Sequence, residues 1–163
     1  MSSKLVKVTL MIEENKTLDP REWIAEHVGL YFKDPEKAHM WDSTPVGGPG
    51  ILPTLLLTTI GRKSGEPRHL PLLYEKTNAG YIIVASKGGA PSHPAWYLNL
   101  MANPRCEIRV GTEQHHVIAR IPAGDERAEL WNVMAKLYPP YNDYQTGTDR
   151  EIPVVVLELA EPN

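Results

Sequence analysis

Between residues 45 and 121 the chain is cut into short apolar runs by glycine- and proline-bearing turns, and this spacing limits the fold more than any other feature. Ile51–Ile60 is the longest apolar run, and it holds a proline and three threonines. It therefore reads as a strand and falls well short of the ~20 apolar residues that a membrane-spanning helix needs. The turn Gly61-Arg62-Lys63-Ser64-Gly65-Glu66-Pro67 follows, then a strand over 68–75, the hairpin turn Thr77-Asn78-Ala79-Gly80, and a short buried strand over 81–85. A loop over 86–94 leads into a helix over 95–102 that Asn103-Pro104 stops. Cys106, Ile108 and Val110 alternate with Arg105, Glu107 and Arg109, Gly111-Thr112 turns the chain, and Val117, Ala119 and Ile121 line one face of the returning strand. Asp125 is expected to cap a helix ending near Leu137, Pro139-Pro140 to break it, a tyrosine-rich segment to follow, and 152–159 to form the last strand. Six strands at this spacing, with two or three inserted helices, predict a mainly β chain of the α+β type. The expected form is a small antiparallel barrel rather than a parallel α/β sheet.

Upstream, Val6, Val8, Leu10 and Ile12 alternate with Lys7, Thr9 and Met11, the pattern of a weak strand or a tail. Asp19-Pro20 is an N-cap followed by proline at the first helical position, and Trp23, Ile24, His27, Val28 and Tyr31 then fall at helical spacing. A second short helix is expected from Asp34-Pro35 through Trp41. A helical arm over roughly 15–43 thus precedes the barrel, and 163 residues suit one domain over 1–163, with 1–44 as its arm.

Composition removes several function classes. A net charge of −3 and a pI near 6.1 argue against nucleic-acid binding, which needs a basic footprint. The single cysteine rules out a disulfide framework and a cysteine-based zinc site. Cys106 lies on the apolar face of its strand, as a small hydrophobe does, and no G-x-S-x-G supports serine hydrolysis. The six histidines have no H-x-x-x-H spacing, and His115 and His116, adjacent in a strand, point to opposite faces, so no metal site is expected. The start shows no unbroken apolar stretch of the secretory kind, so a cytoplasmic protein is expected.

Four constellations carry chemistry. Arg62, Lys63, Ser64, Gly65 and Arg68 converge on one hairpin turn, which is either a solvated turn or an anion site. A Walker loop is excluded by the missing upstream glycine. Ala85-Ser86-Lys87-Gly88-Gly89 brings a hydroxyl, an ammonium and two glycines to the end of a buried strand, where a flat ligand can approach the backbone. Trp96 and Asn99 share a helix face, suited either to the core or to a ring ligand with polar edges. Tyr138, Tyr141 and Tyr144 flank a proline break and form either ordinary packing or a pocket wall with proton donors. The aromatic set fits this: 4 Trp and 7 Tyr against 1 Phe.

In order, Thr58-Thr59-Ile60-Gly61-Arg62-Lys63-Ser64-Gly65-Glu66-Pro67-Arg68, Val84-Ala85-Ser86-Lys87-Gly88-Gly89, His93-Pro94-Ala95-Trp96-Tyr97-Leu98-Asn99-Leu100, Tyr138-Pro139-Pro140-Tyr141 and Asp149-Arg150-Glu151-Ile152-Pro153-Val154 resemble the deazaflavin-dependent nitroreductase family of actinobacteria. The likeness spans roughly residues 45–160. It implies a split β-barrel of the flavin-reductase and pyridoxamine-phosphate-oxidase type, and the deazaflavin coenzyme F420, with its phosphodiester and oligoglutamate tail. By the resemblance Arg62, Lys63, Ser64, Gly65 and Arg68 face the anionic part of the coenzyme, with Pro71 also on the cofactor side. Ala85, Ser86, Lys87, Gly88 and Gly89 lie at the ring, and Trp96 and Asn99 sit on the helix beside it. Ser86, Tyr138, Tyr141 and Tyr144 are the implied catalytic residues, orienting substrate and assisting protonation. Gly147 stands after Gln145-Thr146 where the nitroreductase carries tryptophan, which implies a wider acceptor pocket.

The resemblance implies hydride transfer from reduced F420 to an electron-poor acceptor: a quinone, an enone, a coumarin- or aflatoxin-type unsaturated lactone, or a nitroaromatic. Two rival readings stand beside it. One is a non-catalytic carrier of F420 or haem, and the other is a reductase of the same fold that uses FMN, whose phosphate the basic turn would also hold. The expected partners are a small hydrophobic conjugated acceptor, no nucleic acid and at most peripheral membrane contact, with the chain a monomer or weak dimer.

Overall fold

The computed structural model describes residues 20–160, so the strand pattern of residues 6–12 and the cap at Asp19 lie outside the described residues. Eight strands form one curled antiparallel sheet: β1 Met40–Asp42, β2 Ile51–Ile60, β3 Pro67–Leu73, β4 Glu75–Thr77, β5 Gly80–Val84, β6 Arg105–Val110, β7 Glu113–Arg120 and β8 Val154–Leu159. Their order is β1-β2-β6-β7-β8-β5-β4, and β3 pairs with β2. Among the described residues five α-helices are inserted: α1 Pro20–Lys33, α2 Pro35–His39, α3 Ala95–Ala102, α4 Gly124–Leu137 and α5 Pro140–Thr146.

The strands β5 and β8 explain the layering. Both read as continuous apolar runs because both faces are covered. Ile83, Val155 and Leu157 point into one core with Leu55, Leu57, Trp96, Leu100, Ile108 and Val117. Their neighbours Ile82, Val84, Val154 and Val156 point the other way, onto Leu130 and Met134 of α4 and onto Tyr138 and Tyr141. The sheet curls around the first core, while α4 and α5 seal the second. A bidentate pair from Arg120 on β7 to Glu126 at the start of α4, both contacts 2.7 Å, ties that helix to the sheet, and Arg120 Nε reaches Glu158 on β8 at 3.0 Å. The helical arm docks through Tyr31, whose hydroxyl donates to the Thr54 carbonyl oxygen and accepts from the Gly111 amide.

Several boundaries differ from the sequence expectation, each for a physical reason. Asp34 caps α2 as expected, accepting from the Lys37 amide at 3.2 Å. That helix ends at His39, because 40–42 is captured as an edge strand in register with 51–53 of β2. The strand expected over 68–75 is two strands, β3 pairing with β2 and β4 pairing with β5, with buried Tyr74 between them. Asp125 does not cap α4: Ala123 holds the cap position and Gly124, at φ +61°, turns the chain in. Asp125 sits instead in the first turn, where its charge complements the helix dipole. Pro139-Pro140 breaks α4, but the tyrosine-rich segment resumes as α5, since proline is well tolerated at a helix start. The last strand begins at Val154, not at 152, because the Ile152 amide is spent on the Gln145 side chain.

Candidate active site

The cationic turn is built on two backbone bonds, Gly61 N to Glu66 O and Gly65 N to Gly61 O, both 2.8 Å. Gly65 takes φ +75°, a left-handed conformation that few residues but glycine accept. Ser64 Oγ accepts from the Glu66 amide and from Arg68 Nη2, at 3.2 and 3.4 Å. Arg62, Lys63 and Arg68 are exposed, and among the described residues none of them enters an ion pair. Such a concentration of uncompensated cations favours an anionic ligand.

Asn99 supports this turn from below. It is 4% exposed, its Oδ1 accepts from the Arg62 amide and from Arg62 Nη1, and its Nδ2 donates to Thr59 Oγ1. Trp96, one turn earlier on α3, is 6% exposed and belongs to the first core. Both residues thus lie beneath the surface, with Asn99 organising the turn and Trp96 filling the barrel. Pro71 sits in β3 opposite Leu56, half-buried. A surface trough of about 860 Å³ starts at the foot of the turn, at Ile60 and Pro67, and runs over Arg105, Glu107 and His116.

The second half of the site is the 86–90 loop at the end of β5. Lys87, Gly88 and Gly89 take φ +47°, +63° and +82° in succession. Lys87 is the only non-glycine residue with positive φ among the described residues, and a conformation of this kind costs about 1–2 kcal/mol unless neighbours enforce it. Gly88 faces open space, whereas a Cβ on Gly89 would lie 2.9 Å from the Tyr144 carbonyl oxygen. The loop is therefore pressed against α5 at Gly89, while its exposed crest at Lys87 and Gly88 leaves backbone open to close approach at Gly88.

That contact sets the loop that begins at Ser86 against the segment that carries the three tyrosines. Tyr138, Tyr141 and Tyr144 pack edge to face or tilted, with ring centroids 4.9 to 6.3 Å apart, and Tyr138 Oη lies 3.1 Å from Tyr144 Oη. Tyr138 and Tyr141 are buried, and Tyr144 is half-buried at the rim. Burial raises the Tyr138 and Tyr141 phenols well above the usual tyrosine range, and the bond to Tyr144 adds to the effect at Tyr138. Both stay protonated at any physiological pH and can act only as neutral hydrogen-bonding groups or as a proton source. By contrast Cys106, buried in the first core, has its thiol pushed up to about 12 by desolvation and then by Glu107, so it is no nucleophile. His115 and His116 do face opposite sides of β7, one against the Tyr81 ring and the other toward Glu107.

One residue of the site was given no role by its sequence. Arg150 reaches under the loop and donates to the carbonyls of Ala85, Ser86 and Ala90 at 3.2, 2.6 and 2.7 Å, and to His93 Nδ1 at 3.1 Å. The only sequence signal is its place in the Asp149-Arg150-Glu151-Ile152-Pro153 motif, which says nothing of what it touches.

A family model described as F420H(2)-dependent quinone reductase matches residues 33–159. The F420H(2)-dependent quinone reductase Rv1261c of Mycobacterium tuberculosis is 40% identical over 146 residues, covering 86% of this chain and 98% of that protein. Among solved structures, the F420-H2 dependent reductase FDR-A is 45% identical with a TM-score of 0.60, over 64% of this chain and 93% of its own. A protein solved as a domain-swapped dimer is 38% identical with a TM-score of 0.64, over 86% of this chain and all of its own. HutZ of Vibrio cholerae, a haem storage protein, is 16% identical with a TM-score of 0.50 over 67% of this chain and 82% of its own, a likeness of split-barrel fold alone.

Proposed function

The chain belongs to the F420H(2)-dependent quinone reductase family and so is a reductase that draws on reduced coenzyme F420; we propose that it delivers the hydride to a quinone-type acceptor lying over the Lys87–Gly88 crest, beside the tyrosines that α5 carries. The observation that carries this reading is the close packing of that loop, at Gly89, on Tyr144, which sets the end of β5 against a cluster of three phenols. A pure carrier of the coenzyme needs no such second wall.

The residues present fit the coenzyme. Its phosphodiester and glutamate tail are anionic, and the turn offers Arg62, Lys63 and Arg68 without carboxylate partners, plus the Ser64 hydroxyl. Gly65 and Gly88 leave open space where a side chain would stand, so ligand atoms can come close to backbone. We assign Pro71, Ala85, Ser86, Lys87, Gly88 and Gly89 to the ring side, with Trp96 and Asn99 as its buried support. When bound, the coenzyme supplies the two-electron hydride chemistry.

The chain itself orients, shields and protonates. Negative charge grows on the acceptor oxygen during reduction, and fixed donors aimed at that oxygen stabilise it. Ser86 Oγ and Tyr144 Oη are the donors at the rim, and Tyr138, bonded to Tyr144, backs the latter with a second neutral phenol. Buried Tyr141 braces both rings. Gly147, at the exposed end of α5, leaves the rim unblocked where a tryptophan would narrow it. This favours flat, conjugated acceptors: quinones first, then enones, unsaturated lactones and nitroaromatics. Among the described residues no helix is long and apolar enough to cross a membrane. We place the protein in the cytoplasm as a monomer or weak dimer, with at most peripheral membrane contact.

The test follows oxidation of reduced F420 by menadione through recovery of the oxidised coenzyme's absorbance. The wild type should accelerate it, while Ser86→Ala and Tyr144→Phe should slow turnover at least tenfold with coenzyme affinity within a factor of three. No acceleration over free coenzyme would favour a carrier, and tight FMN binding without F420 binding would favour the flavin reading.

A further inference from the structure

We infer that Arg150 is the positioning residue of this site: its guanidinium holds both ends of the 86–90 loop in one left-handed turn and sets that loop at a fixed distance from the tyrosines of α5. The inference rests on the reading of this loop as the ring side of the coenzyme site.

Three features carry it. First, the fork geometry is used in full. Nη1 and Nη2 hold the carbonyls of Ala85 and Ser86 where the loop leaves β5, and Nε holds Ala90 where the loop ends. The planar guanidinium spans three acceptors at once, which an ammonium on a flexible stem does not reproduce. Second, the loop it holds is strained. Lys87 is left-handed without being glycine, and the two internal bonds, Gly89 N to Ser86 O and Ala90 N to Lys87 O, close around left-handed residues. Ser86 O accepts from both Arg150 and Gly89, so the clamp and the turn meet at one atom. Third, Arg150 is itself fixed to the opposite wall. Gln145 of α5 donates to the Arg150 carbonyl at 2.8 Å and accepts from the Ile152 amide at 2.9 Å. One residue therefore bonds the loop with its side chain and the tyrosine helix with its backbone. Among the described residues Arg150 enters no ion pair, so its charge is left to polarise the loop carbonyls. A hydride donor and an acceptor must be held within a few tenths of an ångström to react efficiently, and this brace ties the loop and the tyrosine helix into one wall.

The experiment uses the full chain and variants Arg150→Lys, Arg150→Gln and Arg150→Ala, each checked for folding by circular dichroism. Hydrogen exchange in the coenzyme-free protein reads the loop directly: amides of Gly89 and Ala90 should exchange at least tenfold faster in Arg150→Lys than in wild type. Single-turnover reduction of menadione at saturating reduced F420 should slow at least tenfold, while coenzyme affinity, held by the 62–68 turn, changes less than threefold. Added guanidinium should restore at least a third of the lost rate in Arg150→Ala. Unchanged exchange or wild-type turnover in Arg150→Lys overturns the inference, as does a folded Arg150→Ala that guanidinium does not rescue. Should the alanine variant not fold, the lysine and glutamine variants decide through the same exchange and rate readouts. Loss of amide protection in a chain whose wild type shows no F420 activity would leave the brace standing and sink the functional reading instead.

Discussion

Arg62 and Asn99, 37 residues apart, meet at one oxygen: Asn99 Oδ1 takes hydrogen bonds from both the backbone amide and the guanidinium of Arg62. The buried helix α3 thereby sets the conformation of an exposed cationic turn. Replacing Asn99 by alanine leaves buried Thr59 Oγ1 and the half-buried Arg62 amide without their partner. The expected loss of stability is about 1–3 kcal/mol. Denaturant melts should show it, together with a roughly tenfold weaker F420 affinity by tryptophan quenching. A variant with wild-type affinity would mean the turn keeps its shape without Asn99.

The cations of the turn should act through charge. Lys63→Ala and Arg68→Ala should each weaken F420 binding about tenfold, the scale of one charge-assisted bond. The difference from wild type should shrink as salt is raised from 50 to 500 mM, and it should vanish for a deazaflavin ribityl analogue that lacks the phosphate and tail. Equal effects on both ligands would move the anion site elsewhere.

Gly88 and Gly89 are neighbours with the same backbone hand but different surroundings. Alanine at Gly88 meets open space and bears only the left-handed conformational cost of about 1–2 kcal/mol. At Gly89 the added Cβ also strikes the Tyr144 backbone, 2.9 Å from its carbonyl oxygen and 3.1 Å from its Cα. Gly89→Ala should therefore melt several degrees below Gly88→Ala and lose acceptor reduction more severely. Indistinguishable variants would show that the loop does not rest on α5 in solution.

Acid stability should be governed by two half-buried histidines. Desolvation lowers the pKa of His27, partly offset by its bond to the Ala38 carbonyl, and lowers that of His93, with Arg150 adding to the effect. In both cases the unfolded chain takes up protons first as pH falls below about 6.5. The stability these neutral rings contribute is present above that value and is lost as pH drops through their lower folded values. Scanning calorimetry should show a flat melting temperature from pH 7 to 9 and a decline below 6.5. His27→Gln should make that decline shallower. An identical acid slope in the variant would assign the loss to other groups.

Much of the barrel was legible in the chain. Glycine and proline punctuation marked the turns, alternation marked β6 and β7, and the unbroken apolar runs at 81–85 and 154–157 marked strands with both faces covered, because those patterns arise from local sterics and burial. The cationic turn and the glycine loop were also visible as motifs, since their residues are contiguous. Boundaries set by a distant partner were not: 40–42 is a strand only because β2 lies beside it, and 68–75 divides because β3 pairs with β2 while β4 pairs with β5.

The sequence by itself determined the fold class, the punctuation and the list of chemical groups available to the site. Tertiary structure alone decided which of those groups work together. Asn99 became the foot of the cationic turn, Trp96 became core, and Arg150 became a brace 57 to 65 residues from the groups it holds. The reason is that hydrogen bonds across such separations depend on how the sheet curls and where the helices dock, and no local spacing encodes that.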